Sequence, residues 1–566
     1  MGYDYTMPTG ISTPTLPLLD LPLFQSTTAN LSDDGLTVRA YSRARLVGRV
    51  YGLQLEDVLH LSPKFWQLHL DLICPFDMAV LTLITIQYNL AGGTISRFAV
   101  DRPDLQPLMQ SILNFDVSAQ FLLSEMGHGL DAANLETTAT LLPGGGFELH
   151  SPTLAASKWM PPTTPKKGFP TVAVVIARLV VAGEDRGVRP FVVQLNDGVT
   201  MCKGIVARPL PQRGGSTPVD HCITSFDQVR LPSTSLLGSL EKPSNMRDNF
   251  MSVISRVSVG TLCLSTTNIG SLKLAAFIAG QYSLRRMVTG KDGTPVPIIS
   301  FRTQQRPILH VLAQTAVFDA YARNTIQQFV NPALEKRVRD GLGAAFKVNL
   351  VQATRKGLYE LTERCGAQGV FAYNQMVQLQ QDTRGVSIAE GDSLVLCIRL
   401  ASELLIGRYE MPPSSYPSCL LAQHEKGLFK EAQDIMRSFG MKNGNHRSDD
   451  FNRLILPLCE PLIKAIANRL SYEAAVQANV DQSLVDIYES IAIQEDASWY
   501  VEKAGLSRQQ IIEGEDAALN SALPNIKTLL NNTRAEPYCS APIIQAERWD
   551  RFVLELPKYR SLNCKI

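Results

Sequence analysis

Between about residues 118 and 240 the chain consists of short runs rich in Val, Ile, Leu and Phe, cut by Gly, Pro, Asp and Asn. On both sides of it apolar residues recur at helical spacing. The runs TATLL, GFELH, TVAVVIARLVV, RPFVVQL and CITSFDQVRLP read as strands of a compact β-domain, with Gly144-Gly145-Gly146 as a tight turn between the first two. Upstream, VYGLQLEDVLHL and LQPLMQSILNF read as helices, and residues 1–38, rich in Pro, Thr, Ser and Leu, as an extended arm. Downstream, NFMSVISRVSVGTLCLSTTNIGSLKLAAFIAGQYSLRR and ISFRTQQRPILHVLAQTAVFDAYARNTIQQFV are long enough for a bundle of long helices. MPPSSYPS at 411–418 marks a linker, and further helices follow to about 530. The expected fold class is α+β, mostly α. Its parts are an arm (1–38), an N-terminal helical domain (39–117), a β-domain (118–240), a helical bundle (241–410) and a C-terminal helical domain (411–566).

A chain of 566 residues exceeds what one core organises, so two to four domains are expected. Lys and Arg total 54 against 53 Asp and Glu, a net charge of +1, which supplies no electrostatic footprint for nucleic acid. Any anionic ligand must be met locally. The ten cysteines form no C-x-x-C and no Cys/His cluster, which points to a reduced compartment and no structural zinc. The apolar stretch from Ile73 is interrupted by Asp77, Gln87 and Asn89, so it reads as buried helix and not as a membrane span. At the N-terminus, Met1-Gly2 with bulky Tyr3 reads as a chance match to a myristoylation pattern. The last residues, Cys564-Lys565-Ile566, have the small, basic, aliphatic order of the S-K-L peroxisomal address.

The stretch from 121 to 162, FLLSEMGHGLDAANLETTATLLPGGGFELHSPTLAASKWMPP, resembles the flavin-contacting strands of acyl-CoA oxidases. That family shows T-E-M-G-H-G, L-E-T-T-A-T, H/N-S-P-T and K-W-W-P-G-G in this order, and FDQVRLPSTSLLG is similar to its F-D-N-V-R-I-P segment. The resemblance extends from about 40 to 555. It implies an acyl-CoA dehydrogenase-like core with an added C-terminal helical domain, FAD as cofactor and a homodimer.

Removing two hydrogens across a Cα–Cβ bond beside a thioester needs a base at the α carbon and a hydride acceptor at the β carbon. No side chain accepts hydride, so a cofactor is implied. Glu390 lies in SIAEGDSLVL, which resembles the family's Y-E-G-D-N-T-V-L, and the match places it on the catalytic glutamate; Gly391 would let the backbone pass close to a ligand. Read locally, the same carboxylate is a helix-start residue beside an N-terminal dipole. By resemblance, Ser124, Gly127 and Trp159 contact flavin. Pro162 occupies the position of a flavin-contacting glycine and has no N–H to donate, leaving Trp159, Thr163 and Thr164 to compensate. His128, between glycines, reads as a turn residue. Arg286 falls on the arginine that reaches the FAD pyrophosphate of a neighbouring subunit, while Gln304 and Gly366 match elements near the adenine. Ala367 and Gln368 depart from the family's C-G-G-H-G turn.

The resemblance implies oxidation of an acyl-CoA or acyl-carrier thioester to the 2,3-enoyl thioester, with electrons passing to oxygen and giving hydrogen peroxide, in the peroxisome or cytoplasm. The departures at Ser124, Pro162, Ala367 and Gln368 leave two alternatives. One is a related enzyme acting on a polyketide or branched chain in secondary-metabolite biosynthesis; the other is a flavin-free binding or assembly homologue.

Overall fold

The computed structural model describes residues 13–25, 32–165, 167–211, 213, 218–439 and 447–559. Met1-Gly2 and Cys564-Lys565-Ile566 lie outside them. Two compact units emerge, one of residues 1–267, 326–343 and 386–392, the other of 268–325, 344–385 and 393–566.

In the first unit the expected arm is partly helical. A 3₁₀ turn, Leu16–Asp20, precedes a short helix, Pro22–Gln25, and a 19-residue helix, Asp33–Tyr51, begins well before residue 40. The reason is a capping signal in Ser32-Asp33-Asp34: the Ser32 hydroxyl accepts from the Gly35 N–H, and both aspartates sit at the positive end of the helix dipole. Further helices follow at Leu55–His60, Pro63–Leu70, Ile73–Phe76, Met78–Ile84 and Gly93–Ala99, with a π-helical stretch at Thr85–Gly92. The apolar run Met78–Ala99 is long enough to cross a membrane, yet 89% of its most apolar window is packed inside the protein.

Among the described residues nine strands make the β-domain: β1 Ser118–Leu122, β2 Thr138–Leu141, β3 Phe147–His150, β4 Lys158–Pro162, β5 Thr171–Val181, β6 Glu184–Asn196, β7 Ile205–Pro209, β8 His221–Phe226 and β9 Val229–Leu231. Strand β5 pairs with β6 along one edge, and with β1 and then β2, both parallel, along the other; β3 and β9 extend the sheet beyond β2. A second sheet runs β4-β8-β7. Burial explains why β5 is a continuous apolar run, since its residues 171–177 are all buried. Phe147 and Phe191 meet edge to face at 5.2 Å inside this core. The Gly144–Gly146 turn forms as expected. Gly145 and Gly146 have φ of 80° and 84°, and a Cβ on Gly146 would lie 2.6 Å from the Leu231 carbonyl.

Among its described residues the second unit is helical apart from a hairpin, Met287–Thr289 with Pro295–Pro297. The segment read as one helix from Asn249 is two, Met246–Val253 and Ser255–Arg285, broken at Ile254, and the second of these begins within the first unit. Arg302–Val330 and Lys336–Arg364 are the other long helices. Close packing depends on glycines: a Cβ at Gly280 would lie 2.5 Å from Leu530 Cδ2, and one at Gly427 would lie 2.2 Å from the Trp499 ring. The 411–418 linker is held from below. Buried Arg469 donates to the Pro412 carbonyl (3.1 Å) and bonds Glu425 and Glu473, and Ser414 donates to Glu473.

Candidate active site

Glu390 is not a helix-start residue. The helix that follows begins at Ser393, and Glu390 stands before it with φ 54°, followed by Gly391 at φ 99°. Two consecutive left-handed residues reverse the chain, and for glutamate that conformation is strained, a feature that collects at functional positions. The Thr261 hydroxyl secures the turn by donating to the Glu390 carbonyl at 2.7 Å. The carboxylate itself rests on bare backbone: a Cβ built on Gly260 would lie 1.1 Å from Glu390 Oε2 and 2.9 Å from Asn89 Nδ2. Only glycine at 260 leaves room for the acid.

The surroundings of Glu390 are buried and polar. Asn89 lies in the π-helical stretch, where one extra residue per turn re-aims side chains. Its amide donates to the Arg256 carbonyl (3.1 Å), while Arg256 Nε donates to the Asn89 carbonyl (3.0 Å) and Nη1 to the Val58 carbonyl (3.2 Å). The guanidinium lies 5.8 Å above the Phe65 ring. Burial pulls the Arg256 pKa down to about 10, and Glu390 is a carboxylate whose charge works against that fall. A buried cation within electrostatic reach of a carboxylate stabilises its ionised form. Asn89, Arg256 and Gly260 escaped the sequence reading, because they lie more than a hundred residues from Glu390 and belong to no motif.

The residues matched to a flavin edge fall into an outer and an inner group. Trp159 on β4 is 41% exposed, and its N–H donates to the Ser124 carbonyl at 2.9 Å, so Ser124 and Trp159 are neighbours. Gly127 is exposed, its N–H bonded to the Ala155 carbonyl, and a Cβ there would lie 3.1 Å from Ala155 Cβ. Behind this edge is a fully buried ion pair. Lys158 Nζ donates to Glu125 Oε1 (3.0 Å) and to the carbonyls of Leu123 and Ile176, and the Glu125 carboxylate accepts from the N–H groups of Glu136 and Thr137. The pair fixes the S-E-M-G-H-G turn to β4. It was legible only as letters of two motifs.

Pro162 and Thr163 point inward. Pro162 is buried at the end of β4, after a bulge at which Met160 takes φ 55°, and its carbonyl accepts from Lys167. The Thr163 hydroxyl is bonded to Thr224 at 2.8 Å with no exposed surface, and Thr164 is bonded to Asp220. Both hydroxyls, expected to compensate for Pro162, are hydrogen-bonded within the β-domain. His128 is a turn residue, bonded to Glu136 at 3.1 Å; that carboxylate raises its pKa.

In the second unit Arg286 is exposed just past the end of its helix, its carbonyl accepting from the Ile298 N–H. Gln304 donates to the Ser283 hydroxyl (2.8 Å) and the Arg364 carbonyl (2.9 Å), bracing the turn in which Gly366 has φ 58°.

The acyl-CoA oxidase C-alpha1 domain model matches residues 259–405, the segment that contains both Gly260 and Glu390. The chain is 27% identical over 369 residues to the peroxisomal acyl-coenzyme A oxidase 2 of Arabidopsis thaliana, a match covering 61% of this chain and 53% of that protein. It thus spans about half the length of the curated relatives it matches. Among solved structures, acyl-CoA oxidase 1 of Yarrowia lipolytica superposes with a TM-score of 0.81 at 17% identity, covering 98% of this chain and 91% of that one. Acyl-CoA oxidase-1 of Caenorhabditis elegans, complexed with FAD and ATP, gives 0.72 at 18% identity, covering 93% and 92%. The expected α+β, mostly α architecture is the one these structures share. Residues 259–405 thus match the acyl-CoA oxidase C-alpha1 domain, and over the rest of the chain the motifs and the fold are similar to those of acyl-CoA oxidases.

Proposed function

We propose that the protein is an FAD-dependent acyl-CoA oxidase in which Glu390 removes the α proton of an acyl-CoA to give the 2,3-enoyl thioester. The observation that carries this is the seat of Glu390: a carboxylate on a strained turn, lying over a glycine backbone, within electrostatic reach of a buried guanidinium. Holding the acid there needs no search at the moment of reaction, which is what positioning contributes to a proton transfer.

The outer edge of the β-domain fits a flat, conjugated ring. Trp159 offers an exposed aromatic surface, Ser124 beside it a hydroxyl, and the exposed 126–129 turn an approachable backbone, all fixed by the Glu125–Lys158 pair behind. Because Pro162 is buried within the sheet, its missing N–H leaves that edge unchanged. When bound, FAD supplies the hydride acceptor that the side chains lack, and oxygen then takes the electrons to give hydrogen peroxide. Arg286, exposed at its helix end, is assigned to a phosphate of FAD held by a second copy of the chain. Gln304 is assigned to holding the Gly366 turn in shape. The peroxisome is the proposed location, as the name of the Arabidopsis relative gives it for that protein.

Two measurements on the purified protein test the reading. A flavin absorbance spectrum should be present and should strengthen on adding FAD. Under air, one equivalent of peroxide should form for each acyl-CoA oxidised. Colourless protein that takes up no FAD would favour a binding role, and oxidation without peroxide would favour a dehydrogenase that passes electrons to another protein.

A further inference from the structure

In the same unit as Glu390, two ring nitrogens are buried without a hydrogen-bonding partner among the described residues. They are Trp66 Nε1 and His69 Nε2, both on side chains with no exposed surface. Buried polar atoms are nearly always paired, so two orphans on one short helix call for an account. Their chemistry is complementary. His69 Nδ1 lies 2.9 Å from the Phe65 carbonyl, which can only accept, so the proton is on Nδ1 and Nε2 carries a lone pair. Burial holds the ring neutral, with a pKa pushed down to about 4. The Trp66 indole N–H can only donate. Positions 66 and 69 are three apart on the helix Pro63–Leu70 and so share a side, and the Phe65 ring touches both, at 5.3 Å and 4.7 Å between centroids.

This pair is tied to the acid by two routes. The Thr266 hydroxyl donates to the His69 carbonyl at 3.0 Å, and Thr266 stands six residues along the same helix from Gly260, roughly 9 Å at 1.5 Å per residue. Arg256, within electrostatic reach of Glu390, lies over the Phe65 ring. A chain whose α carbon meets Glu390 and which runs along this helix would bring a carbon several positions further on to His69 and Trp66.

We propose that the preferred acyl thioester carries a hydroxyl group on its chain, donating to His69 Nε2 and accepting from Trp66 Nε1. This rests on the reading of Glu390 as the α-proton base. A hydroxyl is the small group that both donates to a lone pair and accepts from an N–H. A keto oxygen would satisfy only Trp66, and a methylene neither.

The test uses the FAD-loaded protein and pairs of thioesters of equal length, with and without a chain hydroxyl, the hydroxyl being moved carbon by carbon. Binding is read by calorimetry with the 2-enoyl-CoA of each pair, which no longer has the bond to be oxidised, and turnover by peroxide from the saturated one. A site built around a hydroxyl discriminates strongly against its absence. One hydroxyl position, several carbons beyond the α carbon, should therefore bind at least tenfold tighter than the plain chain, and His69→Phe should erase that preference while still oxidising the plain chain. Equal or tighter binding of the plain chain at every position overturns the proposal, whatever the oxidation rates. A binding preference without any oxidation would leave the hydroxyl subsite standing and refute the role given to Glu390.

Discussion

Gly260 and Glu390, 130 positions apart in sequence, occupy one place: the carboxylate oxygen of Glu390 stands 1.1 Å from where a side chain on residue 260 would begin. Gly260→Ala should therefore displace the acid and leave the cofactor edge, built on the β-domain, as it was. The expected outcome is normal FAD content with the rate of anaerobic flavin bleaching by acyl-CoA reduced roughly 10²-fold or more, since misplacement of about 1 Å can cost that much. Stopped-flow absorbance reads it, and an unchanged rate would separate Glu390 from the chemistry.

Lys158→Met should strip the Glu125 carboxylate of its buried partner. Breaking such a pair costs about 3–5 kcal/mol, because one charge is left uncompensated. Burial already lowers the Lys158 pKa to about 8 despite that partner, so a neutral replacement of similar length tests the pairing and not the volume. Urea denaturation should show the loss, and flavin content should fall with it as the turn carrying Ser124 loosens from β4.

Acid should destabilise the protein through His69. Its folded pKa, about 4, lies below the ordinary histidine value of 6.5, so between those values the unfolded chain binds the extra proton and the folded one does not. Stability contributed this way is present above pH 6.5 and is lost as pH falls toward 4, by on the order of 3 kcal/mol at about 1.4 kcal/mol per unit. His69→Phe should flatten that limb of a stability-against-pH curve. Arg256, whose charge also lowers the His69 pKa, should remain in place.

Alkaline pH should act in the opposite sense through buried thiols. Burial raises Cys365 to about 12 and Cys459 to about 11, above the ordinary thiol value of 9.0, so the folded state holds protons that the unfolded chain gives up. Their contribution is complete below pH 9 and declines as pH rises toward those folded values. Lys158 opposes it, since its lowered pKa makes stability rise between about 8 and 10.5. The two thiols together outweigh the one amine, and thermal unfolding in buffers from pH 8 to 11 should show a net decline.

The order of helix, strand and helix was legible because the period of apolar residues changes at the domain edges, and Glu390 was legible because its turn keeps the E-G-D signature. What surrounds Glu390 was not. Asn89 reaches it through a π-helical stretch that no spacing rule marks, Arg256 through backbone carbonyls of distant helices, and Gly260 by having no side chain. The flavin motifs showed which residues were present but not which way they face: Trp159 is outside, while Pro162 and Thr163, three and four residues on, are inside. A bulge at Met160 shifts the alternation between them. The start of the first long helix was missed because Ser32-Asp33-Asp34 was read as part of a Ser-rich arm and not as a cap.

The central claim is that Glu390 takes the α proton, and Glu390→Gln tests it most directly because the amide keeps the shape of the acid without its basicity. The variant should purify with FAD bound, and mixing it anaerobically with an acyl-CoA that bleaches the wild-type flavin should give bleaching slower by about 10²–10⁴-fold. Bleaching at the wild-type rate, with the flavin fully bound, would contradict the account and assign the proton to another base.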